Sequence, residues 1–149
     1  MTHTHAYDIS NYKAALRRHT LKATPQRVAV HESMLRLVHA SADMIADDIH
    51  KIGRISITAA TVYNILSQMS DLGIYRRRLS SNNKMYFDVD PEPHYHLYDC
   101  ENHCFRNIED MEMKSTIDRC LRKRKFRGYS IENIDMQIIV RPTKRKKIK

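Results

Sequence analysis

The residues best equipped for chemistry sit just past the middle of the chain. His94-Tyr95-His96 sets two imidazoles two positions apart, and in a strand such residues project from one face toward one point. Asp88 stands six residues earlier and Cys100 four residues later. Two neutral imidazoles with carboxylates form a borderline donor set suited to iron(II), manganese(II) or zinc. A second pair, His3 and His5, reads as part of a loose terminus. No Gly-rich phosphate loop, nucleophile elbow or paired catalytic carboxylates occur, so the expected role is not enzymatic. The eight methionines are scattered and make no metal-binding run.

These side chains need a scaffold, and the composition supplies one. The chain has 149 residues, 42% hydrophobic and 29% charged, enough for one domain or two small ones with a core. Three glycines and four prolines exclude collagen-like and low-complexity architectures. No apolar run approaches the roughly 20 residues that cross a bilayer, and the N-terminus lacks the cationic and apolar regions of a signal peptide. A cytoplasmic location with no membrane partner is expected. In that compartment Cys100, Cys104 and Cys120 form no disulfide scaffold.

The net charge of +9 points to a polyanionic partner, although its placement is uneven. Residues 141–149 hold six cations and no acid, and Arg119 to Arg127 hold six more. Such runs are often solvated faces or tails, so charge alone does not establish nucleic-acid binding.

The punctuation of the first half predicts helices followed by a hairpin. Thr24 before Pro25 is a helix N-cap, opening a helix to about Val38 with Val28, Leu35 and Val38 inward. Ser41 caps a second helix whose inner face is Ile45, Ile49 and Ile52. Thr58 caps a third, ended by Gly73. There Val62, Ile65, Leu66, Met69 and Leu72 keep helical spacing, leaving Tyr63, Asn64 and Ser67 outward. Ile74 to Leu79, a turn at Ser80 to Asn83, and Lys84 to Phe87 form a hairpin. Helix, turn, helix and basic hairpin is the order of a winged helix-turn-helix, in which a helix enters the major groove and wing cations meet phosphate. Any small helical domain ending in a hairpin gives the same pattern. The prolines of segment 88–93 mark a hinge. Beyond it come strands and one helix, Glu112 to Phe126, on which Cys120 shares an apolar side with Met113, Ile117 and Leu121 and reads as core. Ile134, Met136, Ile138 and Val140 alternate in a strand over Ile131 to Val140 that suits pairing across a dimer.

Four pieces in register carry a resemblance: Thr24-Pro25-Gln26-Arg27, His39 to Asp43, Thr61-Val62-Tyr63-Asn64 with Leu72-Gly73, and His94-Tyr95-His96 before Cys100. Over roughly residues 12–110 the chain resembles the ferric uptake regulator family of metal-dependent repressors. Asn64 after Thr-Val-Tyr and Asp88 after Tyr-Phe look more like the peroxide-sensing branch. The resemblance implies an α+β chain with a winged helix-turn-helix DNA-binding domain (1–87), a hinge (88–93), a small α/β dimerisation and metal-binding domain (94–141) and a basic tail (142–149). It implies a regulatory divalent ion held by His39, Asp88, His94 and His96, with a last carboxylate from Asp110 or Glu109. Tyr63 and Asn64 match base-facing positions, with Thr61 and Arg27 beside them, and Arg76 and Arg77 lie on the wing. The implied partners are a palindromic DNA operator and a second copy of the chain.

Departures from the family pattern matter too. Relatives commonly hold zinc with two C-x-x-C pairs, whereas Cys100 to Cys104 is C-x3-C and no cysteine follows Cys120. A four-thiolate site is therefore unavailable within one chain. Either Cys100, Cys104, Cys120 and His103 form a substitute or the thiols bind no zinc, and the second is the expectation. Pro93, Tyr95 and Asn133 stand where a further dimer-bridging metal site would need ligands. Two rival roles stay open: an iron-loaded peroxide sensor that oxidises one of its own histidines and releases DNA, and a metal- or haem-binding protein of this fold that has lost operator binding.

Overall fold

A computed structural model describes residues 5–144, which fall into two compact units, one ending at Glu92 and the other beginning at Pro93. His3 and the last five residues of the basic tail lie outside the described residues.

The first unit opens with α1 (Ile9–Arg18), whose N-cap Asp8 accepts a hydrogen bond from the Asn11 N–H at 2.7 Å. Helices α2 (Pro25–Leu37), α3 (Ala42–Ile52) and α4 (Ala59–Asp71) start at Thr24, Ser41 and Thr58, each hydroxyl accepting from the N–H three residues on. Between α2 and α3 runs the two-residue strand β1 (His39–Ala40), and after α4 come β2 (Arg76–Leu79) and β3 (Met85–Asp88). They form an antiparallel sheet in the order β1-β3-β2. Helices with a hairpin wing make this unit a winged helix-turn-helix, and with the mixed second unit the class is α+β.

Its core joins Leu16 of α1, Met34 of α2, Ile45 and Ile49 of α3, Leu66 and Met69 of α4, and Phe87 of β3. The inner faces differ in places from the sequence expectation. On α2 the buried positions are Val30, His31, Ser33 and Met34, while Val28, Leu35 and Val38 are half-buried. Two polar side chains hide that face from an apolar count. Ser33 donates to Asp48 at 2.6 Å, and His31 lies in a ring stack with Tyr12 and Tyr75. Ile52, expected inward, is exposed at the end of α3.

The second unit contains β4 (Tyr95–Asp99), β5 (Cys104–Ile108), α5 (Met111–Arg122) and β6 (Gln137–Val140), in sheet order β5-β4-β6. β4 pairs antiparallel with β5 and parallel with β6, and a parallel neighbour requires a crossover, which contains α5. The helix stops at Arg122 rather than Phe126, after which four cations among five residues lead into a tight turn. The last strand is four residues long rather than ten, because β4 offers it only the rungs His96 to Asp99. No residue of α5 is buried. Cys120, expected in the core, is exposed because the half-buried side of α5 is centred on Met113, Ile117 and Leu121 and Cys120 falls at its edge.

Candidate metal centre and nucleic-acid interface

The first half of the candidate centre belongs to the first unit. Helix α2 ends at Val38, whose φ of +68° is costly for a β-branched residue. Its carbonyl accepts from the Val89 N–H at 3.0 Å, so the turn is held by the sheet it enters. The turn delivers His39 directly opposite Asp88 in the β1–β3 register. His39 Nε2 lies 3.1 Å from Asp88 Oδ2, with both side chains nearly buried. The other carboxylate oxygen of Asp88 accepts the Asp90 N–H at 2.9 Å, and Asp90 in turn accepts the Glu92 N–H at 2.9 Å. The Asp90 N–H thus holds Asp88 from behind and orients Oδ2, as supporting shells do for metal ligands. Asp90, itself buried, escaped the sequence reading. Its only signal was an Asp two residues after the expected ligand.

The second half belongs to the second unit. His94 precedes β4 and His96 lies within it, and their ring centroids are 4.3 Å apart. This is the one-face geometry that the H-x-H spacing predicts. His96 is fully buried, its ring edge-on to Phe105 at 5.9 Å. Asn107 faces it across β4 and β5 and keeps a buried Oδ1 without a hydrogen-bond partner. Sequence reasoning overlooked this oxygen, because only the β4–β5 register reveals it. The fifth ligand expected from Asp110 or Glu109 is not gathered with His94 and His96. Asp110 caps α5, accepting the Met113 N–H at 2.9 Å, and Glu109 is exposed beside it. Capping uses one oxygen of the Asp110 carboxylate. The donor sets of the two halves, imidazole nitrogen and carboxylate oxygen on largely buried side chains, fit a borderline divalent ion.

The cysteines make no comparable group. Cys104 pairs with Asp99 at the mouth of the β4–β5 hairpin, Cys100 is one position further along, and Cys120 is exposed on α5. His103, at φ +51°, has its Nδ1 3.0 Å from the Tyr98 hydroxyl. Among the described residues no metal-binding cluster includes Cys100, His103, Cys104 or Cys120. The extra residue matters because strand side chains alternate: Cys104 shares the Asp99 side, and Cys100, the residue after Asp99, starts on the opposite one.

The candidate nucleic-acid face is built on α4. Tyr63 and Asn64 are exposed, while Val62, Ile65, Leu66 and Met69 of the same helix are buried. An open groove beside them is lined by Arg27, Thr61, Tyr63, Asn64 and Gln68. The structure therefore brings four of the expected contact residues to one surface. Two are less free than the sequence implied. The Arg27 guanidinium donates to the Lys22 carbonyl at 2.8 Å and to Gln68 at 3.2 Å. The Tyr63 ring packs edge-on against Phe87 at 5.9 Å. On the wing, Arg76 is half-buried, Arg78 is buried, and exposed Arg77 donates to Asp71 and to the Ser67 carbonyl.

Behind this face lies a buried polar device. His31 is completely enclosed, and burial pushes its pKa down to about 4. Its Nε2 lies 2.7 Å from the Tyr7 carbonyl and its Nδ1 2.8 Å from the Tyr75 hydroxyl. A carbonyl only accepts, so Nε2 carries the proton and Tyr75 O–H donates to Nδ1. Tyr12 stacks on the imidazole at 4.0 Å, and burial raises its phenol to about 12. The cluster ties α1 and α2 to Tyr75, immediately before the wing.

A winged helix with an imidazole and a carboxylate donor, followed by a small α/β unit with two imidazoles, defines a class of metal-linked regulators. The sequence model of the ferric uptake regulator family matches residues 18–139, and the chain belongs to that family. It is 31% identical over 100 residues to the peroxide-responsive repressor PerR of Staphylococcus epidermidis, an alignment covering 64% of this chain and 63% of that protein. The match thus spans just under two-thirds of that relative's length. Among solved structures it is similar to the ferric uptake regulator of Vibrio cholerae, with a TM-score of 0.73, 22% identity, and coverage of 88% of this chain and 99% of that one. It is also similar to the Campylobacter jejuni peroxide stress regulator, with a TM-score of 0.63, 25% identity, and coverage of 89% and 97%. Among the described residues no helix is long and apolar enough to cross a membrane.

Proposed function

We propose that the chain is a metal-responsive, DNA-binding transcriptional repressor acting in the cytoplasm as a homodimer on a palindromic operator. The observation that carries this reading is the division of the donors. His39 and Asp88 form a preorganised pair in the first unit, His94 and His96 form another in the second, and only a short proline-bearing segment separates them in sequence. In this reading residues 1–87 bind DNA and 94–141 dimerise, and of the hinge expected over 88–93 only the later part is free to bend, since Asp88 belongs to β3 and Val89 to the first unit's core. The tail, 142–149, adds positive charge. A divalent ion supplies one positive centre that nitrogen and oxygen donors can share, with iron(II), manganese(II) and zinc all suited to the set.

The residues do the rest. His39, Asp88, His94 and His96 offer ligands from both sides of the hinge and so couple the angle between the units to metal availability. Tyr63 and Asn64 present a donor and acceptor set to base edges, and Arg76 and Arg77 meet phosphate. Half-covered α5 and β6, with exposed Ile138 and Ile139, supply apolar surface for a second copy. Two copies place two α4 helices to read half-sites about one helical turn apart. The role is regulation rather than catalysis.

The test is retention of a palindromic duplex by purified protein, with manganese and with chelator. Metal-dependent retention that disappears in His39→Ala and His96→Ala supports the reading. Equal retention in all conditions refutes it and leaves a plain winged-helix binder. A second reading, response to peroxide, is favoured by the similarity to peroxide-responsive repressors. Its mark is peroxide-dependent oxygen addition to a peptide containing His39 or His94 in iron-loaded protein and not in manganese-loaded protein.

A further inference from the structure

The proposed operator contacts all lie in the first unit, yet the densest positive charge lies in the second. Arg119, Arg122, Lys123, Arg124, Lys125 and Arg127 are exposed, and no acid occurs from Arg119 to Ile131. Arg119 and Arg122 are accounted for by the negative end of α5. Lys123 caps that end, and the other three follow the helix, where a macrodipole gives no reason for them. None of the six has an ion-pair partner among the described residues. Charge at this density is depleted from the cores of protein interfaces, so a second copy of the chain is a poor occupant.

Within these cations the chain makes a tight turn from Phe126 to Tyr129. The Tyr129 N–H donates to the Phe126 carbonyl at 2.9 Å, and Gly128 at φ +82° occupies the third position, as a type II turn requires. The turn holds two aromatic rings in water: Phe126 is 52% and Tyr129 84% exposed. Rings left in solvent beside unpaired cations have the composition of a stacking platform on an electrostatic track.

We infer that the end of α5 and the Phe126–Tyr129 turn form a second nucleic-acid surface, which binds single-stranded nucleic acid by base stacking on Phe126 and Tyr129 and phosphate contact with Arg124, Lys125 and Arg127. A duplex could use the cations, but its bases are stacked inside and leave the rings idle. A single strand uses both features. The surface is independent of α4 and of the metal ligands.

The experiment is fluorescence anisotropy of labelled oligothymidine of about twenty nucleotides, longer than an ordinary single-strand footprint, titrated with the full chain. A duplex of equal length and vesicles of phosphatidylcholine with phosphatidylglycerol are run in parallel. The single strand is expected to bind. Phe126→Ala and Tyr129→Ala each weaken it by about tenfold, and Arg124→Gln with Lys125→Gln flattens its salt dependence by about 0.7 for each phosphate no longer neutralised. Asn64→Ala leaves it unchanged, and the two ring variants leave operator binding unchanged. Because both rings are exposed, the variants should keep the wild-type circular dichroism, which is measured alongside. Absence of single-strand binding, equal binding by the ring variants, or capture of vesicles in place of the oligonucleotide each overturns the inference.

Discussion

Acidification tests the buried His31 cluster most sharply. An unfolded chain protonates this imidazole near pH 6.5, whereas the folded chain, with the ring enclosed, holds out until about pH 4. Above pH 6.5 neither state takes up the proton and His31 is neutral to stability. Below it the unfolded state gains a proton that the native state refuses. Stability is therefore complete above pH 6.5, falls through the window, and levels off near pH 4. Each pH unit is worth about 1.4 kcal/mol, so the loss is about 2 kcal/mol at pH 5 and about 3 kcal/mol at pH 4, a large share of an ordinary domain's 5–15 kcal/mol. Urea unfolding of chelated protein across this range, compared with His31→Phe, isolates the contribution because the variant lacks the titrating group. NMR titration of the ring protons reads the same event without unfolding. A His31 resonance that titrates near pH 6.5 in folded protein, or identical pH slopes for wild type and variant, would refute the argument.

Other expectations follow from the same geometry. Asn64→Ala should lose about 1–3 kcal/mol of operator binding with unchanged thermal stability, checked by anisotropy and melting; Tyr63→Ala should lose operator binding too, but with lower stability, since its ring also rests on Phe87. Arg77→Ala should weaken all duplexes alike and reduce the salt slope by about one, by less if the Asp71 contact persists on DNA; an unchanged slope places Arg77 off the backbone. His39→Ala should leave a folded dimer whose DNA affinity ignores manganese, measured by sedimentation and retention. Chelator treatment or Cys100→Ser should leave the dimer and its thermal transition intact, and collapse to monomer would reveal a structural zinc site.

Local rules carried far in this chain and then met tertiary ones. Thr24, Ser41 and Thr58 were legible as caps because one hydroxyl and one N–H three residues on decide the matter. The face of α4 was legible because its buried residues are all apolar. The face of α2 was not, since His31 and Ser33 are buried through bonds to Tyr7, Tyr75 and Asp48, remote in sequence. The short β6 and exposed Cys120 depend on how much surface the neighbouring elements provide, which periodicity does not encode. At the candidate centre, the H-x-H pair could be read from strand geometry alone. The register of His39 on Asp88 became visible only when separate segments met, whereas the Asp90 brace and the Asp110 cap are local bonds that the H-x-H pattern does not announce.

The wing and the first metal pair share one short strand. β3 begins at Met85, beside the tip of the hairpin, and ends at Asp88, against His39. From Met85 to Asp88 it spans about 10 Å. Treated as a stiff rod, a tilt of about 10° at the Asp88 end carries the hairpin tip through about 2 Å, roughly the difference between a phosphate hydrogen bond and none. In the proposed repressor a sub-ångström adjustment of the Asp88 carboxylate is thereby multiplied mechanically at the hairpin tip. On this view the wing is a gauge needle whose pivot is the His39–Asp88 pair, and stiffness in β3 sets its gain.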